Sequence, residues 1–228
     1  THLAPMSTPP PRYDDWLAFI FGRTTDESDP FQMDWTFDAP PADLAELVIY
    51  TFENCGRDLA PFTDRQVALG FQAILFGDFS GIPHNLIGEK VSEPRKVALL
   101  HSLQALYRDC LAKRTPPVLG HRNETANNPL EYVTYMLWDV SPIEYIARSK
   151  KDGPEPKAFL EILEAALASG NRACVESALH GLGHARQSGL GAALYNAAIE
   201  AIIDRFLATG PEPALRDYAL AARTGCIQ

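Results

Sequence analysis

A short segment occurs twice in the last third of the chain. Residues 167–185 (LASGNRACVESALHGLGHA) align with residues 207–226 (LATGPEPALRDYALAARTGC). In each copy one helix is predicted to end at LASG or LATG, and a second helix is predicted to begin directly after it. The two copies are about 40 residues apart, a spacing that is typical of HEAT repeats. A helix pair cannot bury its apolar face alone, so such pairs stack. The repeat predicts an all-α fold, a HEAT-like helical-pair array (an α-α superhelix), with an irregular helical bundle as the alternative.

Helix signals recur along the rest of the sequence, whereas the alternation of apolar and polar residues that is typical of strands is almost absent. Thr63 and Gln66 have the spacing of a capping box. Asn128 and Asn171 are predicted helix caps, and Pro142 should break the helix before it. Helices are predicted over residues 13–21, 42–56, 63–77, 92–114, 128–140, 141–147, 155–169, 171–186, 190–208 and 212–223.

These helices are predicted to form a single HEAT-like domain over residues 13–228. Residues 1–12 are rich in proline and begin with Thr rather than Met. We expect them to be a leader that is either disordered or foreign to the natural chain. Two internal loops are long, over residues 78–91 and 115–127, and loops of that length are often functional.

The formal net charge is −9, with a pI near 5.1. A nucleic-acid partner is not expected, because phosphate binding needs a concentrated basic surface. A protein or peptide partner is expected to be basic where it makes contact. No apolar run is long enough to span a bilayer, so no membrane partner is expected. The four cysteines are far apart in the sequence, which indicates free thiols and a cytoplasmic location.

Two histidines one helical turn apart, His180 and His184, follow Glu176 in the segment ESALHGLGHAR. A helical wheel places Leu179 and Leu182 on the core side, and the histidines with Glu176 on the opposite side. Such a pair can bind one metal ion, but HExxH enzymes keep a glutamate beside the first histidine and this segment has none. We therefore predict no bound metal and no cofactor, and histidines that titrate near the usual pKa of imidazole.

If a metal were bound, the histidine pair would need a third ligand. Glu176 is the first candidate, with the loop residues His84 and His121 as replacements. Gly181 and Gly183 lie inside the same predicted helix, where glycine is unfavourable. Their presence predicts that a neighbouring helix packs closely against this one.

A second candidate site lies on the predicted helix over residues 128–140. Tyr135, Trp138 and Asp139 are candidate binding residues there, and Tyr132 and Tyr145 belong to the same aromatic set. Large aromatic residues at helical spacing often belong to the core, with tyrosine hydroxyls bonded at its edge. The alternative is that they line a groove for a small ligand.

Three segments of the sequence resemble an uncharacterised family of bacterial HEAT-like helical proteins. They are NPLEYVTYMLWD at 128–139, SALHGLGHA at 177–185 and YALAARTGC at 218–226. The resemblance covers roughly the last half of the chain. It implies a HEAT-like fold and a bacterial cytoplasmic setting, and it carries no activity, substrate or catalytic residue.

The sequence contains no phosphate-binding loop, dinucleotide fingerprint or nucleophile elbow. We therefore predict a non-enzymatic interaction module that holds a protein or peptide on the concave face of the array. Glu176, His180 and His184 would lie on that face. The first alternative is a metal-dependent enzyme of the hydrolase type that uses these three residues. The second is a small-ligand-binding protein, and the oligomeric state is left open.

Overall fold

A computed structural model confirms the all-α class. It describes residues 8–23, 33–148, 153–187 and 193–227, and within these ranges no residue lies in a β-strand. The α-helices are α1 (Tyr13–Phe21), α2 (Pro41–Asp58), α3 (Asp64–Leu75), α4 (Ile82–Ile87), α5 (Glu93–Ala105), α6 (Ala112–Arg114), α7 (Leu130–Val140), α8 (Glu144–Arg148), α9 (Pro154–Leu167), α10 (Arg172–Gln187), α11 (Ala193–Ala208) and α12 (Pro213–Thr224).

Local signals set most helix boundaries, as predicted. The Thr63 side chain accepts a hydrogen bond from the backbone N–H of Gln66, whose own side chain accepts one from the backbone N–H of Thr63. The Asn171 side chain accepts hydrogen bonds from the backbone N–H groups of Ala173 and Cys174 in the first turn of α10, where N–H groups have no acceptor within the helix. A break at Ser141, which is extended, separates α7 from α8 where Pro142 predicts it.

Two features of the middle of the chain differ from the predictions. The single helix predicted over 92–114 passes through a π-helical turn (Leu106–Leu111) between α5 and α6. The loop predicted over 78–91 contains the short helix α4. A π-helical turn inserts an extra residue into a helix without changing its composition, so apolar spacing does not reveal it.

The longer helices form two neighbouring rows. In one row α2 packs against α5, α5 against α9, and α9 against α11. In the other row α3 packs against α7, α7 against α10, and α10 against α12. This order places α10 inside the second row, with α7 on one side, α12 on the other and its hairpin partner α9 in the opposite row.

The two copies of the sequence repeat form two helix hairpins, α9–α10 and α11–α12. Gly170 and Gly210 occupy matching positions in the two turns, with φ angles of 75° and 73°. A residue with a side chain is strained at such an angle, which explains why both copies keep glycine there. The two hairpins therefore share one turn geometry, while a HEAT-like array for the whole chain stays a prediction.

Residues 10–12, which were predicted to belong to the leader, contact the helical domain. Pro10 is buried, and the Arg12 guanidinium donates to the backbone oxygen of Asp38 at 2.7 Å while lying over the Phe37 ring. These contacts attach residues 10–12 to the helical domain, and α1 begins directly after them. Residues 1–7 of the predicted leader lie outside the described residues.

Candidate functional site

The predicted exposure of Glu176 and His180 is wrong, because each is only 1% exposed. His184 is half-buried. Leu179 and Leu182 are fully buried, as predicted. The helical wheel assumed that α10 has one buried side, but α7, α9 and α12 together cover it nearly all round. Its polar residues therefore face neighbouring helices and a loop rather than solvent.

Glu176 binds the loop that precedes α7. Its carboxylate accepts hydrogen bonds from the backbone N–H groups of Gly120 and His121 at 2.8 and 2.9 Å. The same carboxylate contacts the Nδ1 atom of His121, whose ring stacks on Tyr218 with centroids 4.3 Å apart. Glu176 thus anchors the loop over residues 115–127 to α10.

The two histidines of α10 contact each other and both neighbouring helices of their row. His180 Nε2 lies 2.9 Å from His184 Nε2, which in turn lies 3.5 Å from Asp139 Oδ1 on α7. On its other side, His180 Nδ1 lies 2.6 Å from the hydroxyl of Tyr218 on α12. Three helices therefore contribute to one continuous polar cluster.

Burial shifts the titration of this cluster away from the predicted behaviour. Loss of hydration, and then the nearby His184, lower the pKa of His180 to about 4, although Asp139 opposes the shift. His180 is consequently neutral near pH 7, and the prediction that it titrates normally is wrong. Burial also raises the pKa of Tyr218 and of Tyr135, so both hydroxyls stay protonated.

Trp138, a predicted binding residue, belongs to the core. It is 1% exposed, and its indole N–H donates to the Tyr107 hydroxyl at 2.7 Å. That hydroxyl also bonds to Ser177 Oγ on α10 at 2.7 Å. A β-carbon added to Gly181 would lie 2.8 Å from the Trp138 ring. The predicted close approach of a helix at Gly181 is therefore confirmed.

Replacing Gly181 with Ala is expected to lower the free energy of unfolding by about 1–3 kcal/mol, because the buried Trp138 ring must move. This loss outweighs the gain of about 1 kcal/mol that alanine brings to a helix interior. Urea denaturation followed by circular dichroism measures the change. Gly81→Ala is the control, because an added β-carbon meets no atom within 4 Å there. A more stable Gly181→Ala protein would contradict the packing described here.

A pocket of about 170 Å³ opens between α7, the first half of α10 and the loop before α7. Tyr132 and Tyr135 form one wall, and Tyr132 is 54% exposed. The rest of the lining consists of three carboxylate residues, Glu124, Glu131 and the nearly buried Glu176, together with Val118, Gly120 and Ala173. Tyr135 links this pocket to the histidine cluster, since its ring lies 4.9 Å from that of His180.

Internal hydrogen bonds hold the carboxylates of this pocket in place. Glu131 accepts from three neutral groups, the Thr125 hydroxyl and the backbone N–H groups of Ala126 and Asn128. Glu124 accepts from the backbone of Leu119 and pairs with Arg172. These hydrogen bonds lower the pKa values of Glu124 and Glu131, so both are ionised at neutral pH.

The structure brings most of the predicted site residues together. Glu176, His180, His184, Tyr135 and Asp139 form one connected region, and the loop residue His121 joins it, whereas His84 lies near Pro142 instead. Three further members of this region, Tyr218, Glu124 and Glu131, were not predicted as site residues. No motif surrounds them, because their role arises from contacts between distant segments.

Comparison of the chain with protein-family models, with curated proteins and with solved structures finds no significant match to any of them. None of the helices in the described ranges combines the length and the apolar character needed to cross a bilayer.

Proposed function

We propose that the protein is a non-enzymatic interaction module that holds a basic segment of a partner protein in the pocket between α7 and α10. The observation that carries this proposal is the lining of the pocket, in which two tyrosines face three carboxylates. A lysine or arginine side chain fits such a lining, because its apolar stem packs on the rings and its charge meets the carboxylates.

The net charge of the chain also favours a basic partner. The chain carries a net charge of −9, which steers basic partners towards it and repels acidic ones. Arg172 and Arg122 lie close to Glu124, whereas the groups that donate hydrogen bonds to Glu131 are neutral. An incoming cation would therefore find its strongest unopposed negative charge at Glu131.

The arrangement of helices supports a HEAT-like module. Two rows of stacked helices and two hairpins with the same glycine turn are what a helical-pair array would contain. Membership of the bacterial HEAT-like family and a cytoplasmic location are part of this proposal. Cys55, Cys110 and Cys174 are buried free thiols, which suits a reducing compartment.

Peptide binding tests the proposal. A fluorescent peptide of alternating lysine and glycine is expected to bind with micromolar affinity, measured by anisotropy, and to bind more weakly as salt is added. Tyr132→Ala should weaken binding at least about fivefold through the lost ring contact. Tyr145→Ala is the matched control, since Tyr145 is 56% exposed but lies on α8, outside the pocket lining.

Two results would contradict the proposal. One is equal binding of a peptide in which glutamate replaces lysine, because the pocket would then not select charge. The other is equal weakening by Tyr132→Ala and Tyr145→Ala, because binding would then not involve the pocket.

A metal-dependent enzyme is the second candidate, and the approach of Asp139 to His184 favours it. Its ligand set would differ from the predicted one, because Glu176 faces His121 and the loop backbone. A small ligand is not favoured as the occupant of this pocket. The pocket, at about 170 Å³, is smaller than the roughly 300–1,000 Å³ typical of ligand sites.

A further inference from the structure

Asp139, His180 and His184 place three ligand atoms at one point of the protein surface. The carboxylate oxygen and the two imidazole nitrogens all lie within 4.8 Å of one another. We propose that these residues bind one divalent transition-metal ion, of the zinc or iron(II) class. The inference is independent of peptide binding, because it concerns the opposite end of the α7–α10 contact.

Two of the three distances between the ligand atoms are close to those expected around a shared ion. Two ligand atoms about 2.1 Å from one metal lie about 3.0–3.4 Å apart when the angle between them is 90–109°. The separation of the two Nε2 atoms is 2.9 Å, and that between His184 Nε2 and Asp139 Oδ1 is 3.5 Å. The third pair of ligand atoms, on His180 and Asp139, lies within 4.8 Å, so coordination needs a movement of the Asp139 side chain towards His180.

The contact between His180 and Tyr218 favours the tautomer of His180 that metal binding requires. His180 Nδ1 lies 2.6 Å from the Tyr218 hydroxyl, so the ring can donate its proton there and keep the Nε2 lone pair directed at His184 and Asp139. Metal-binding histidines commonly use their second nitrogen in this way, which fixes the ring orientation. Tyr218 is thus a positioning residue for the proposed site.

The chemical types of the three ligands indicate which class of metal ion would bind. Two imidazoles and one carboxylate suit zinc, iron(II), cobalt(II) or nickel(II), whereas calcium and magnesium prefer oxygen ligands. Three protein ligands also leave at least one coordination position for water.

A metal ion can reach the triad from solvent, and the three ligands lie on two helices that pack together. The side chains of His184 and Asp139 are 26% and 38% exposed, so an ion can enter from solvent, while His180 closes the inner side. The ligands lie on α7 and α10, which pack directly against each other. A bound ion would cross-link the two helices.

Metal titration of the full chain, purified without an affinity tag and treated with a chelator, tests this inference. Zinc is expected to bind at one ion per chain with submicromolar affinity in calorimetry, and to raise the melting temperature. Cobalt(II) should give visible absorption bands whose position and intensity report nitrogen and oxygen coordination. His184→Ala and Asp139→Ala should each weaken zinc binding at least about a hundredfold.

Both substitutions affect partly exposed side chains, so folding is expected to survive and is checked by circular dichroism. His84→Ala is the matched control, because His84 is exposed and lies outside the triad. The alternative is a simple hydrogen bond between the two histidines. No stoichiometric zinc binding, or binding that His184→Ala and Asp139→Ala leave unchanged, would establish that alternative and overturn the proposal.

Discussion

Replacing Leu179 with Asp is expected to lower the free energy of unfolding by about 4 kcal/mol or more. Leu179 is fully buried on α10, and α10 contacts helices of both rows. A carboxylate placed there would lose its hydration without gaining a cationic partner. Since small domains are stable by only about 5–15 kcal/mol, a large part of the margin would be lost. Urea denaturation followed by far-UV circular dichroism measures the change.

Leu220→Asp makes the same chemical change on α12 at a position that is 44% exposed. It is expected to cost about 1 kcal/mol or less, mainly through helix propensity. Similar losses for the two variants would show that α10 is not the central helix of its row.

Replacing Glu176 with Ala is expected to cost about 3 kcal/mol, the second largest effect. The carboxylate is nearly fully buried and accepts from the backbone of Gly120 and His121. Without it, two N–H groups lose their acceptor and the loop over residues 115–127 is no longer anchored to α10. Hydrogen exchange should therefore become faster in that loop before other regions change.

Glu164→Ala is the control for this prediction. Glu164 is exposed on α9 and pairs with Arg205 at the surface, where an ion pair contributes about 0–1 kcal/mol. Glu176→Gln keeps one oxygen acceptor and should fall between the two. If Glu176→Ala left hydrogen exchange in the loop unchanged, the loop would be held by other contacts.

Most of the helices could be predicted because their signals are local. The capping box at Thr63, the cap at Asn171 and the break before Pro142 each involve residues within one or two turns. The glycines at 170 and 210 likewise act within a single turn. Such contacts form between residues that are close in sequence, so their pattern can be recognised without the tertiary structure.

The environment of α10 could not be predicted in the same way. A helical wheel separates apolar from polar positions, and it correctly placed Leu179 in the core. It cannot show how many neighbours a helix has, so it placed Glu176 and His180 at the surface. Burial of these two residues depends on α12 and on the loop at residues 115–127.

The sequence by itself determined the all-α class, the positions of most helices, the repeated hairpin turn and several residues of the candidate site. Only the tertiary structure decided which of those residues meet. Asp139 rather than Glu176 approaches the histidine pair, and Tyr218 completes the cluster from α12. The physical reason is that helix formation depends on neighbours along the chain, whereas the site depends on how α7, α10 and α12 pack across separations of about forty residues or more.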